Sequence, residues 1–286
     1  MAVATATFAD RLAAEVERKR SQLVVGLDPR PDLLPVELRG DIARFCCGLV
    51  DAVAPHAVAV KPQLAFFEAL GPPGAAALDE VCSYARRAGL LVIADGKRGD
   101  IGSTARAYAE AYLEGDPPRA DALTVNPWLG RESVEPYLAA ARRDGAGIFV
   151  IVKTSNAGGD AQDVTLSDGR PMWHHIASLV AEWGEDLVGD IGLSSVGAVV
   201  GATHPRAVGE ARRLMPQAVI LLPGVGAQGG SVGELARAFQ SGPASALVNA
   251  SRSVDYAFRE TGGDYRQAAG AEAARLKREI WAASGW

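Results

Sequence analysis

The chain has 286 residues, 48% of them hydrophobic and 22% charged, with a net charge of −5. That is the composition of an ordinary globular domain. The acidic balance and the lack of a basic run argue against nucleic acid as a partner, and no apolar stretch approaches the ~20 residues that span a bilayer.

Met1 to Phe8 carry no basic segment followed by an apolar core, so no secretory signal is expected. Cys46, Cys47 and Cys82 are odd in number and two are adjacent, which argues against a disulfide framework and for a reducing cytoplasm.

In chain order, the first apolar strand is expected over 22–28. A loop bearing Pro29, Pro31 and Pro35 leads to a helix over 36–53. A second strand at 57–61 precedes helices over 63–70 and 74–88, separated by Gly71-Pro72-Pro73. The third strand, 90–95, runs into Asp95-Gly96-Lys97-Arg98-Gly99-Asp100 and then a helix over 103–113. A fourth strand at 121–125 is followed by a helix over 133–143, and a fifth at 147–152 by a long polar loop, 154–170, and a helix to about 187. The sixth strand is 196–200, and Pro205 suits the first turn of the next helix. The seventh is 218–222, with Ser231 and Glu234 in a capping-box pattern beyond it. The eighth is 245–249, and a helix over 268–283 follows.

Most of these strands are continuous apolar runs, as parallel strands covered on both faces are. Eight of them alternating with helices, with no G-x-G-x-x-G after the first, predict an α/β fold, a single-domain (β/α)8 TIM barrel over 1–286. No metal-ligand spacing is visible. His174 and His175 are adjacent, so on a helix they point ~100° apart and cannot chelate together.

In such a barrel the chemistry sits at the C-terminal strand ends. Those ends carry Asp28, Lys61, Asp95 with Lys97, Asn126, Thr154, Ser155, Thr203, His204, Ser251 and Arg252. Asp95 and Lys97 fall on one side of an extended chain. A lysine between the carboxylates of Asp95 and Asp100 stays protonated, because opposite charges favour the charged form. Taken alone, the cluster could be a surface ion-pair network. The segment from Pro223 to Gly230, with Gly224, Gly226 and Gln228, offers backbone N–H groups to an anion, and Arg252 can clamp phosphate oxygens. Together these imply an enzyme for a small phosphorylated substrate, with a Lys-Asp-Lys-Asp array suited to a carbanion and no evident metal.

Seven motifs in order, Gly26-Leu27-Asp28, Val60-Lys61-Pro62, Asp95-x-Lys97-x-x-Asp100-Ile101-x-x-Thr104, Val125-Asn126-Pro127, Thr154-Ser155-Asn156, the Pro223 to Gly230 loop and Ser251-Arg252-Ser253, resemble the orotidine 5′-phosphate decarboxylase family. The resemblance is to its longer bacterial (type 2) branch and covers nearly the whole chain. Gly96 stands where that pattern has alanine, and Ala157 where it has proline.

The resemblance implies decarboxylation of orotidine 5′-phosphate to uridine 5′-phosphate and carbon dioxide, the last step of de novo pyrimidine nucleotide synthesis, without a cofactor. It implies that Asp28 and Lys61 hold ribose hydroxyls and that Asp95 faces the substrate carboxylate. Lys97 would protonate the C6 carbanion, Ser155 bond the pyrimidine, and Gln228 and Arg252 grip the phosphate, with Asn126, Gly224 and Gly226 also at the ligand. Asp100 and Thr104 would reach the neighbouring subunit's site, making the active form a homodimer. Two rivals remain: a magnesium-dependent sugar-phosphate decarboxylase or aldolase of the same barrel group, and a non-catalytic nucleotide sensor. Lys61 speaks against the first, since its ammonium stands where an acidic metal ligand is expected.

Overall fold

The computed structural model describes residues 6–224 and 232–286. Eight parallel strands form a closed barrel in sequence order. They are β1 (Leu23–Leu27), β2 (Ala59–Pro62), β3 (Leu91–Arg98), β4 (Ala122–Val125), β5 (Gly147–Lys153), β6 (Ser194–Val200), β7 (Ala218–Leu222) and β8 (Ala246–Ala250). β1 closes the ring on β8, with Val24 opposite Asn249.

Alternation along the strands explains the continuous apolar runs. Val24 points into the barrel with Ala59, Ile93, Phe149, Val219 and Leu247. Its neighbours Leu23, Val25 and Leu27 point outward into the layer under the helices. Along these stretches both faces are therefore buried in apolar surroundings.

The outer layer is α2 (Ile42–Val53), α3 (Leu64–Glu68), α4 (Pro72–Arg87), α5 (Gly102–Leu113), α6 (Arg131–Asp144), α7 (Met172–Trp183), α8 (Pro205–Leu214) and α11 (Tyr265–Ser284), with the single turns α9 (Arg252–Asp255) and α10 (Phe258–Thr261) after β8. One further helix, α1 (Phe8–Lys19), was not anticipated from the sequence. Thr7 caps it by accepting from the Asp10 N–H at 3.1 Å. Its buried stripe, Phe8, Ala9, Leu12 and Val16, joins the inner core, where Phe8 meets Phe149 edge-on at 5.8 Å.

Other boundaries differ from expectation for local reasons. The helix expected over 36–53 is broken: a three-residue 3-10 turn, Val36–Leu38, ends before Gly40 at φ 87°, and Asp41 then caps α2 through the Arg44 N–H at 2.9 Å. β3 continues past Asp95 to Arg98. The polar loop after β5 contains a 3-10 stretch, Ala157–Asp163. α7 stops at Trp183, and α11 starts at Tyr265 because Asp264 accepts from the Arg266 and Gln267 N–H groups. The Ser231 capping pattern lies outside the described residues.

Candidate active site

At the C-terminal mouth of the barrel a cavity of about 270 Å³ opens among Asp28, Lys61, Asp95, Lys97, Ser155 and Arg252, with Gly224 also on its wall. These residues singled out in the sequence, with Thr154, Pro223 and Ser251, thus come together from the ends of β1, β2 and β3 and the loops after β5, β7 and β8.

Asp95 is the hub. Its Oδ2 takes the Lys61 ammonium at 2.5 Å and the Gln63 amide at 3.2 Å. Its Oδ1 takes the Lys97 ammonium at 2.6 Å and the Thr124 hydroxyl at 3.0 Å. Each oxygen therefore receives one charged and one neutral donor, which fixes the carboxylate plane. Thr124 also accepts the Lys97 N–H at 2.9 Å. That bond accompanies a break in the β3–β4 register between Ala94 and Arg98, and Lys97 sits at φ 48°, a left-handed value seldom adopted outside glycine. The bulge aims the lysine into the mouth: its side chain is 46% exposed, whereas that of Lys61 is 6% exposed.

Burial alone would raise the Asp95 carboxyl pKa, but Lys61 and Lys97 outweigh it and hold the group well below the usual carboxylate range. Burial would likewise lower Lys61, and the Asp95 and Asp28 carboxylates more than reverse that. Asp28 is different. Burial pushes its pKa up, and Lys61 only partly compensates. The Ser251 hydroxyl bonds the Asp28 side chain.

Three expected site residues lie apart from this cavity. The Asp100 carboxylate accepts the adjacent Ile101 N–H at 2.8 Å, and Thr104 is exposed on the first turn of α5. Asn126 is also exposed, with its Oδ1 accepting the Trp128 N–H at 3.0 Å as the lock of a turn. Gly226 and Gln228 lie outside the described residues. Thr203 and His204, also polar strand ends, line a separate cleft with Lys153 and Glu210.

Sequence reading missed Gln63, Thr124 and Asn249, all of which line the cavity. The signal was present: each is a polar residue inside or at the end of an apolar strand. Asn249, 6% exposed, is the penultimate residue of β8, before Ala250.

The loop after β5 is held from beneath. The buried Lys153 donates to the Gly159 carbonyl at 2.9 Å and pairs with Asp163 at 2.7 Å. Gln162 Oε1 accepts the Thr154 N–H at 2.8 Å. These ties set Thr154, Ser155 and Asn156 against the cavity wall. Among the described residues no group of three or more His, Cys, Asp or Glu side chains is placed to hold a metal ion.

Residues 21–257 match the model of the orotidine 5′-phosphate decarboxylase / HUMPS family. The orotidine 5′-phosphate decarboxylase of Rhodopirellula baltica is 47% identical over 271 residues, covering 88% of this chain and 89% of that protein. That of Deinococcus radiodurans is 49% identical over 269 residues, covering 93% and 95%. The crystal structure of a putative orotidine 5′-phosphate decarboxylase from Streptomyces avermitilis superposes with a TM-score of 0.84 at 38% identity, over 99% of this chain and 98% of that one.

Proposed function

The chain belongs to the orotidine 5′-phosphate decarboxylase / HUMPS family, and from that premise we propose that it converts orotidine 5′-phosphate to uridine 5′-phosphate and carbon dioxide. It is a carbon–carbon lyase acting in pyrimidine nucleotide synthesis, and it works without a cofactor. The observation that carries this reading is the Lys61–Asp95–Lys97 chain at the mouth of the barrel.

The chemistry follows from that charge order. Cleavage of the bond between C6 and the carboxylate leaves an electron pair on C6 with no conjugating sink, so stabilisation has to be electrostatic and preorganised. The Lys97 ammonium, fixed by Asp95 and by the bulge, supplies that charge. It then gives its proton to C6 and regains one from water. The Asp95 carboxylate, held ionised, repels the substrate carboxylate, and departure of neutral carbon dioxide relieves the repulsion. Lys61 keeps Asp95 charged and, with Asp28, binds ribose hydroxyls. Arg252, Gly224, Gly226 and Gln228 hold the phosphate, whose binding energy is spent at the distant reacting carbon. Ser155 bonds the pyrimidine, and Asn126 shapes the rim.

The working form is a homodimer in which Asp100 and Thr104 serve the partner's site. Neither lines the cavity of its own chain, and the mouth carries the exposed apolar side chains Ile101, Trp128 and Leu129. A rim of that kind suits burial against a second copy. The free thiols Cys46, Cys47 and Cys82 suit a reducing cytoplasm.

Lys61 separates this reading from a magnesium-dependent relative, because two ammonium groups at Asp95 repel a cation. The test is turnover of orotidine 5′-phosphate by chelator-treated protein, without added metal.

A further inference from the structure

We propose that Asp255 and Tyr256 are positioning residues that lock Asp28 to the turn carrying Arg252, so that one rigid unit grips the sugar and phosphate ends of a bound nucleotide. The proposal rests on the functional reading above and concerns two side chains that do not line the cavity.

The turn after β8 is closed on itself. The Val254 and Asp255 N–H groups donate to the Ser251 carbonyl at 2.8 and 2.9 Å, and the Tyr256 N–H donates to the Arg252 carbonyl at 3.2 Å. Its far end reaches across to the segment after β1. Asp255, 0% exposed, accepts the Asp28 N–H at 3.1 Å. The Tyr256 hydroxyl donates to the Asp28 carbonyl at 2.7 Å and accepts the Arg30 N–H at 2.7 Å. The peptide groups on both sides of Asp28 are thereby held, across 227 and 228 positions of sequence.

The near end of the turn makes a third tie. A Cβ at Gly26 would lie 2.0 Å from Ser251 Oγ, so the two segments approach as closely as the absence of a side chain allows. The Tyr256 ring is itself seated, stacked on Phe45 of α2 at 6.0 Å and 17°. Burial, and then the nearby Asp28 carboxylate, push the Asp255 carboxyl pKa well up. A buried acid and a buried phenol spent on one backbone segment are costly unless that segment must be placed accurately. Asp28 and Arg252, the groups placed, are both at the cavity.

The test is a coupling measurement by calorimetric titration of uridine 5′-phosphate and of uridine. It uses wild-type protein, Tyr256→Phe, Arg252→Ala and the double variant. Tyr256→Phe removes one hydroxyl and keeps the ring on Phe45. It is expected to weaken uridine 5′-phosphate roughly three- to tenfold, the range set by the one of its two hydrogen bonds that holds the Asp28 carbonyl. It should weaken uridine much less, and in the Arg252→Ala background it should cost nothing further. Asp255→Ala should repeat the pattern, and Asp255→Asn, which keeps an acceptor for the Asp28 N–H, should restore binding. Equal losses for both ligands, additive losses in the double variant, or a lowered melting temperature with unchanged binding would each overturn the proposal. Wild-type turnover of orotidine 5′-phosphate is scored separately. Nucleotide binding with the expected coupling but no turnover would overturn the functional reading and leave this one standing.

Discussion

Lys97 donates to the carboxylate of Asp95, two residues earlier on the same strand, at 2.6 Å from a backbone held at φ 48°. An unbulged strand would put both side chains on one face, but it would not also place the Lys97 N–H on Thr124. The strained conformation therefore fixes where the ammonium stands, as strain at functional sites commonly does.

Replacement of Lys97 follows directly. Lys97→Ala is expected to lower kcat by at least about 100-fold, the lower end of what a positioned proton donor contributes. Uridine 5′-phosphate should still bind, because the Asp28 and Arg252 walls remain. Titration calorimetry beside a turnover assay separates the two, and loss of nucleotide binding would make Lys97 structural.

Asp95→Asn should cost about 3 kcal/mol at pH 7, since it leaves the buried Lys61 ammonium without its nearest counter-charge. The Asp95 pKa is lower in the folded protein than in the unfolded chain. Its contribution is thus present above the unfolded value, about 3.9, and is lost as pH falls from there through the folded value. Urea unfolding should therefore show a gap between wild type and variant that is full at pH 7 and narrows below about pH 4. A gap that is constant across that window would contradict the assigned charge state.

Gly26→Ala should destabilise the protein by about 1–3 kcal/mol, because the new methyl meets Ser251 Oγ at 2.0 Å and Ser251 Cβ at 2.9 Å. Combining it with Ser251→Gly should recover part of the loss in denaturant unfolding. No recovery would mean that the close approach to Ser251 is not what requires glycine.

The dimer is tested by charge at the rim. Trp128, 71% exposed, is expected to be covered by the second copy, so Trp128→Glu should give monomers in sedimentation. Activity should fall with the dimer fraction, because each site then lacks Asp100 and Thr104 of the partner subunit. Full activity in a monomer would refute the shared site.

The eight strands were legible because both faces of each are buried, and their polar ends located the mouth. α1 was passed over because Asp10, Arg11, Glu15 and Arg18 are interleaved with its apolar stripe and hide it from a reading tuned to apolar runs. The charged line Lys61, Asp95 and Lys97 was also legible, whereas Asp100, expected as its fourth member, lies apart from the cavity. Thr124 and Gln63 carry only the weaker signal of a polar residue at an apolar strand, and their part appears when neighbouring strands set them on the Asp95 oxygens. Asn126 reads as a strand-end amide, yet its side chain is taken by its own turn. The Asp255–Asp28 tie crosses 227 positions and leaves no local pattern at all.

The most direct measurement is the loss of absorbance on adding orotidine 5′-phosphate to purified, chelator-treated protein. The account predicts conversion to uridine 5′-phosphate without added metal. No conversion, with activity appearing only when magnesium and a sugar phosphate are supplied, would contradict it.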